Sequence, residues 1–473
     1  MDATELCYAP ATELRRLLGS RAVSPMELVD AYLERIERID PLLNLFCFVY
    51  ADGARRAAAR VEQSMRRGAA TRALEGLPYA LKDFTPTRGL RTTRGSFAFE
   101  HWIPDDDPPI VERLREAGGI LLGKTTTSEL AHSSFTRTPL WGVSRNPWNA
   151  KRTPGGSSGG SAGAIAAGLV AVAEGSDAGG SVRIPASCCG VFGFKPAHGR
   201  IPMHATPDDF EEVFHFGLIT RTVADALLMF DVVEGPDERD PLSITPGLPR
   251  PMSLRVDLRG LRAGFSPDLG YYRVDEDISR NTERAAAALS DLGMEVEEVG
   301  LPWDRSINDA WATNWSVALA TLYGDVLDGV ADRVDPELMM LVERGRSLRA
   351  TDLKRVDLVR TRQWQSFRPL IEKVDVLVCP TLAVPVPPAE GVEDSDYEAS
   401  TTEGRFAGLE MTSPFNLIPQ CPVASVPSGF DRHGLPTGMQ IVGRRFDDLT
   451  VLSVAAGFER VRPWSARRPP YVS

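Results

Sequence analysis

Residues Lys151–Gly163 read "KRTPGGSSGGSAG", and glycine and serine fill all but one of positions 155–163. Glycine loses the most backbone freedom on folding, so a rigid core seldom uses a run of it. Yet the tract leads straight into "AIAAGLVAVAEG", which reads as buried core. A second loop, "SDAGGS", follows that core segment and ends at Ser181. Gly179 and Gly180 leave backbone N–H groups unshielded there, and "SVRIPASCCG" predicts a short helix starting at Ser181. A serine beside bare amides and a helix N-terminus is well placed to attack a carbonyl. The amides can receive the oxyanion.

Two other tracts compete with this one. "GGILLGKT", residues 118–125, matches the phosphate-binding pattern GxxxxGK[ST] through Gly118, Gly123, Lys124 and Thr125. That pattern needs a strand before its loop and a helix after it. Here a helix comes first, and Ile120, Leu121 and Leu122 suit a strand, so Lys124 reads as structural. "GSSGG", residues 156–160, matches GxSxG and would make Ser158 a nucleophile, with His433 downstream as its base. The strand this elbow requires is missing, because "NPWNAKRTP" is polar and flanked by prolines.

The elements that must carry these loops are legible in the periodicity. The first 68 residues read as helical. "SPMELVDAYLERIERID" opens with a capping box, Ser24 to Glu27 around Pro25, and Leu28, Val29, Tyr32, Leu33 and Ile36 form one apolar face. "DGARRAAARVEQSMRRG" is a second amphipathic helix stopped by Gly68. From residue 73, short apolar runs alternate with helices. "LPYALKDF", "GGILLGKT", "LVAVAEG" and "DVLVCPT" read as strands, the last at a sheet edge because it ends in proline. The alternation argues for an α/β fold with a largely buried sheet. The region around 235–260 and "TLAVPVPPAEGVEDSDYEASTTEG" read as surface excursions. The close of the chain reads strand, loop, amphipathic helix.

The chain has 473 residues, is 43% hydrophobic and 25% charged, and carries a net charge of -11. A sizeable core is available, and an acidic surface disfavours loose binding to phosphate backbones or anionic lipid. No membrane span, signal peptide, HExxH or paired CxxC pattern is present. The six cysteines are scattered. The expectation is a cytoplasmic protein with neither nucleic-acid nor membrane partners and no metal.

The block 154–200, "ALKDF" around Lys82, "GKTTTSELA" and "WGVSRNPWN" resemble the amidase signature family. "SPFNLIPQCPVASVPSGF" and "GLPTGMQIVGRRFDD" resemble it more loosely, and only roughly 240–400 lies outside the likeness. The resemblance implies one amidase signature domain: a large mixed β-sheet with helices on both faces. Within it, residues 1–68 would be a packed helical arm and 73–235 the catalytic core. Residues 236–410 would be a variable substrate-side region, and 411–473 the C-terminal part of the core. It also implies a catalytic set in which Ser181 is the nucleophile, Ser157 the bridging serine behind a cis peptide, and Lys82 the base. Ala178, Gly179, Gly180 and Ser181 would offer oxyanion amides, and Asp177 and Arg183 would support the loop. Ala131, His132 and Ser133 would border the acyl pocket. No cofactor is implied.

The expected activity is hydrolysis of carboxylic amides through a Ser181 acyl-enzyme, as a monomer or homodimer. Hydrophobic amides and anilides are the expected substrates, with esters and carbamates as side substrates. The alternative within the family is the A subunit of a glutamine-dependent tRNA amidotransferase. A P-loop-like nucleotide binder at 118–125 is the alternative from another class. "DLVRTRQWQSFRPLIEKVDVLVCPTLAVPVPP" resembles the free-standing amidases, and residues 131–133 offer no cation for a glutamine carboxylate. Trp141, Trp148, Trp311, Trp315, Phe210, Phe214 and Phe216 supply aromatic surface for an entrance. Residues 203–217 could be a flap over it.

Overall fold

The computed structural model describes residues 2–67, 71–398, 401–402 and 404–472. Gly68, expected to stop the second helix, lies outside the described residues. The frame is one eleven-stranded sheet. In chain order its strands are β1 (Phe46–Val49), β2 (Pro78–Lys82), β3 (Ile120–Thr125), β4 (Val172–Asp177), β5 (Phe192–Lys195) and β6 (His215–Thr220). They continue with β7 (Arg262–Phe265), β8 (Glu295–Glu298), β9 (Val376–Pro380), β10 (Val423–Phe430) and β11 (Pro436–Gly443). Across the sheet the order is β1-β3-β2-β4-β6-β5-β10-β11-β9-β7-β8. The pairs β2–β3, β2–β4, β7–β9 and β7–β8 are parallel, and the remaining neighbours are antiparallel. The sheet is therefore mixed, and helices cover both faces.

The two buried faces follow from the period of two along each strand. In β9, Val376 and Val378 enter one core cluster while Leu377 and Cys379 enter the other. In β10 and β11, Ala424, Val426, Met439 and Ile441 join the first, and Val423 and Val442 the second. A strand buried on both sides loses its apolar–polar alternation, which is why β9 reads as a continuous apolar run.

Two expectations need correction. The first 68 residues are not all helical. Phe46–Val49 forms β1, which extends the sheet antiparallel to β3. "DVLVCPT" is not at an edge. β9 lies between β11 and β7, and Pro380 merely ends the strand. The Ser24–Glu27 capping box is present on the helix Pro25–Leu43. "PIVERLREAGG" gives the helix Pro109–Glu116, and the chain closes with β11 and the helix Asp448–Val461.

Parallel pairing of β2 with β4 places their carboxyl ends side by side. Lys82 is the last residue of β2, and Asp177 the last of β4. The loop after β4 carries Ser181 into the helix Arg183–Cys189. The glycine–serine tract leads into the helix Gly159–Ala166, which is buried on every side. Its glycines answer to space. A Cβ at Gly156 would fall 2.6 Å from Ser133 O, and one at Gly160 2.5 Å from Thr126 N. The tract is thus a close-packed seam and not a linker.

Candidate active site

Lys82 is fully buried, and its Nζ sits 2.6 Å from Ser157 Oγ and 2.9 Å from Ser176 Oγ. The Gly156–Ser157 peptide is cis. The neighbouring Ser158 N–H donates to Ser181 O at 3.2 Å, which ties the tract to the Ser181 loop. Of Lys82, Ser157 and Ser181, only Ser181 lines the neighbouring cavity, whose volume is about 390 Å³. Lys82 and Ser157 are shielded from solvent. No hydrogen bond to the Ser181 hydroxyl is present among the described residues.

Burial lowers the Lys82 ammonium to about 7, against the pull of Glu174 and Asp177, whose charges favour its protonated form. Sequence reasoning misses Glu174 and Ser176, although β4 carries a signal for them. In "VAEGSD" they stand two residues apart, hence on one face, in a strand otherwise apolar or small up to its final aspartate. Glu174 Oε2 accepts from Lys82 N at 2.9 Å, and its Oε1 accepts from Thr85 Oγ1 at 3.0 Å. A base that must be neutral to work gives activity that is low under acid conditions and rises with pH. The acid limb of kcat/KM should have its midpoint near the neutral range and level off above it. Glu174→Gln should move that limb to lower pH by removing a charge that stabilises the ammonium. A limb that does not move in Glu174→Gln would show that another group titrates.

Asp177 and Arg183 form an ion pair with both side chains wholly buried. Asp177 Oδ1 accepts from Gly180 N at 2.9 Å, Arg183 Nη2 at 2.8 Å and Asn416 Nδ2 at 3.0 Å. Its Oδ2 accepts from Arg183 Nε at 3.0 Å and Val182 N at 3.2 Å. Burial alone would push this carboxyl up. Arg183 and Asn416 outweigh it and hold the group well below the usual carboxylate range. Arg183 also donates to Thr412 O, Gln440 Oε1 and Asn416 Oδ1. The loosely similar C-terminal segments are therefore what holds the Ser181 loop. One oxyanion expectation changes as a result. The Gly180 N–H is taken by Asp177, while the amides of Ala178, Gly179 and Ser181 have no partner among the described residues.

Ala131, His132 and Ser133 line the same cavity as Ser181, Ala178 and Gly179. Leu130 and Ala131 take left-handed φ values of 49° and 60°, and Leu130 N is held by Arg94 O at 2.8 Å. His132 Nδ1 lies 2.7 Å from Glu129 O. A carbonyl only accepts, so the Nδ1 carries the proton. Ser133 Oγ and Ser134 N both donate to Asp394. The segment that follows β9, whose composition suggests a surface excursion, thus folds back to wall the cavity through Asp394.

The aromatic expectation narrows. Trp311 and Trp315, from the helix Ser306–Asp328, line the cavity and stack 6.2 Å apart. The other five do not. Trp141 donates to Thr93, Trp148 packs on Phe430, Phe214 stacks on Phe84, Phe216 is core and Phe210 is exposed. The flap expectation narrows too, because 215–217 belong to β6. Arg305 and Arg344 also line the cavity, cations that segment 131–133 did not foretell.

The competing tracts are accounted for. Gly118 precedes β3, and Gly123, Lys124 and Thr125 are strand residues. Lys124 Nζ donates to Thr85 O and to Thr92 Oγ1, the latter at 2.9 Å, inside the protein. No loop is left there to wrap a phosphate. Ser158 Oγ is buried and exchanges hydrogen bonds with the Ser176 backbone, and His433 is exposed. No helix among the described residues is long and apolar enough to cross a membrane.

The family model described as Amidase matches residues 27–452. An acylamidase from Rhodococcus erythropolis is 36% identical over 472 residues, covering 99% of this chain and 98% of that protein. The A subunit of the glutamyl-tRNA(Gln) amidotransferase from Synechococcus sp. (strain CC9605) is 34% identical over 484 residues, covering 96% of each. Among solved structures, a bacterial aryl acylamidase of the amidase signature family superposes with a TM-score of 0.90 at 32% identity, covering 97% of each chain. The chain belongs to the amidase signature family, hydrolases of amide C–N bonds.

Proposed function

We propose that this chain works alone on uncharged, hydrophobic amides, anilides among them, through an acyl-enzyme on Ser181. The observation that carries this reading is the division of labour in the site. Of Lys82, Ser157 and Ser181, only Ser181 opens on the cavity, while a buried lysine lowered to about 7 is hydrogen-bonded to Ser157, whose neighbour Ser158 holds the Ser181 carbonyl. Ser181 Oγ attacks the carbonyl carbon, and its proton passes through Ser157 to neutral Lys82. The carbonyl oxygen takes the negative charge and meets the free amides of the 178–181 loop. As the C–N bond breaks, the proton returns through Ser157 to the leaving nitrogen. Water then repeats the attack on the acyl ester and releases the acid. The first attack is the same on an ester or a carbamate, so both are expected as side substrates.

The cavity wall of Trp311, Trp315, Ile184 and Leu409 suits an apolar acyl group. One observation favours the amidotransferase reading: Arg305 and Arg344 could hold a glutamine carboxylate. It is outweighed locally. Arg305 lies over the Phe406 ring and pairs with Asp309, and Glu337, Asp394 and Glu410 share the cavity. The test is hydrolysis by the purified single chain of short aliphatic amides, anilides, p-nitrophenyl esters, aryl carbamates and free glutamine. Anilide turnover well above glutamine turnover is expected. Activity on glutamine alone, or none until other proteins are added, would overturn the stand-alone reading.

A further inference from the structure

The amides that would receive the oxyanion are aimed by their own carbonyls. In a planar trans peptide the C=O and the next N–H point in opposite directions. Anchoring the oxygen on one side therefore fixes where the hydrogen points on the other. Every carbonyl from 178 to 181 is anchored. Gly179 O accepts from Thr412 Oγ1 at 2.6 Å, Gly180 O from Ile184 N at 2.7 Å and Ser181 O from Ser158 N at 3.2 Å. Those three donors lie in the signature block or the C-terminal part of the core. The fourth does not. Ala178 O accepts from the indole Nε1 of Trp311 at 2.8 Å, across 133 positions of sequence.

Trp311 sits in the helix Ser306–Asp328, within the stretch of roughly 240–400 that the sequence motifs do not reach. Its ring also closes on the loop, since a Cβ at Gly179 would fall 2.3 Å from its Cζ2. One face of the side chain lines the substrate cavity while its N–H holds the peptide whose other end is the Gly179 amide. That amide has no protein partner among the described residues.

We propose that Trp311 is a positioning residue for the oxyanion site, its indole N–H fixing the Ala178–Gly179 peptide so that the Gly179 N–H meets the tetrahedral intermediate. The proposal rests on Ser181 being the nucleophile. It makes the substrate-side helix part of the catalytic geometry, so a substrate that packs on Trp311 bears on the element that aims an oxyanion donor. Trp315 makes no such link. Its Nε1 lies 3.4 Å from His132 O, on another segment.

The test compares Trp311→Phe with Trp315→Phe. Each keeps an aromatic wall and removes one indole N–H. For both, kcat and KM on an anilide are measured, together with two inhibition constants. One is for a trifluoromethyl ketone, which forms an oxyanion adduct on the serine, and the other for the unfluorinated ketone of the same shape. Trp311→Phe should lower kcat about tenfold or more, with KM moving less. It should narrow the preference for the fluorinated ketone by a similar factor. Trp315→Phe should change KM and leave that preference in place. The proposal is overturned if Trp311→Phe keeps both kcat and the preference, or if Trp315→Phe loses the preference equally. Ser181→Ala, run alongside, separates the two readings. If it still forms the adduct, the nucleophile assignment has failed, and not the Trp311 clamp alone.

Discussion

Ser181→Ala will show no measurable anilide turnover and no labelling by a fluorophosphonate, with its thermal midpoint unchanged. The Ser181 hydroxyl has no hydrogen-bond partner among the described residues, so its removal leaves no buried group stranded. The loss should be on the order of 10⁴–10⁶ in kcat, the scale seen when a serine nucleophile is deleted from a working set. Ser157→Ala and Lys82→Met should each cost orders of magnitude. The Ser157→Ala/Lys82→Met pair should cost little more than the worse single change, because one proton path serves both residues. Fluorophosphonate labelling followed by peptide mapping checks the assignment. A label that survives Ser181→Ala and vanishes in Ser158→Ala would move the nucleophile to the elbow tract.

Arg183→Ala should be the most destabilising single change in the loop that carries Ser181. It leaves the Asp177 carboxylate without its counter-ion in a site with no exposure, and it takes the donor from Gln440 Oε1 and Asn416 Oδ1, while Thr412 O keeps the Phe415 N–H. Breaking a buried pair from one side costs about 3–5 kcal/mol. That is a large share of the roughly 5–15 kcal/mol by which a domain is stable. Urea unfolding followed by tryptophan fluorescence should show the midpoint fall sharply. Arg183→Lys should recover only part of it, because an ammonium cannot reproduce the guanidinium fork. The Asp177 carboxyl is held below its ordinary value in the folded state. Its contribution is therefore present at neutral pH and is lost as the pH falls through that lowered value. An unchanged midpoint in Arg183→Ala would mean that the loop does not depend on the pair.

What can be read in advance, and what cannot, divides by distance along the chain. The capping box at Ser24 is local, and so is the glycine–serine seam, whose composition records the absence of room for side chains. The assignment proposed for Ser181 rests on the long contiguous likeness of residues 154–200, and that for Lys82 on the short separate stretch "ALKDF". By contrast, Asp394 reaches Ser133, Asn416 reaches Asp177, and Trp311 reaches Ala178 from distant segments. Nothing in the local pattern of a tryptophan within a 23-residue helix says that its N–H is committed elsewhere. Phe46–Val49 reads as part of the helical arm because four apolar residues between two amphipathic helices resemble a continuation of either. Its pairing with β3, which decides the matter, is not local. The Gly180 amide reads as free because a sequence shows that an N–H exists and not where it points.

One edge of the great sheet is β8, and its sequence is Glu-Val-Glu-Glu. The side chains of Glu295 and Glu297 fall on one side of the strand and that of Glu298 on the other, and all three glutamates are exposed. An open strand edge is a row of unpaired N–H and C=O groups that invites another chain to continue the sheet. Here a second molecule lining up edge to edge would bring carboxylates against carboxylates on both faces at once. Arg262 of β7 neutralises part of that charge from within, 3.6 Å from Glu295 and 3.1 Å from Glu297, and leaves Glu298 outward. The strand thus completes the sheet and resists its growth into a fibrillar stack. Replacing these glutamates with threonine or valine would turn a finished border into a template for aggregation.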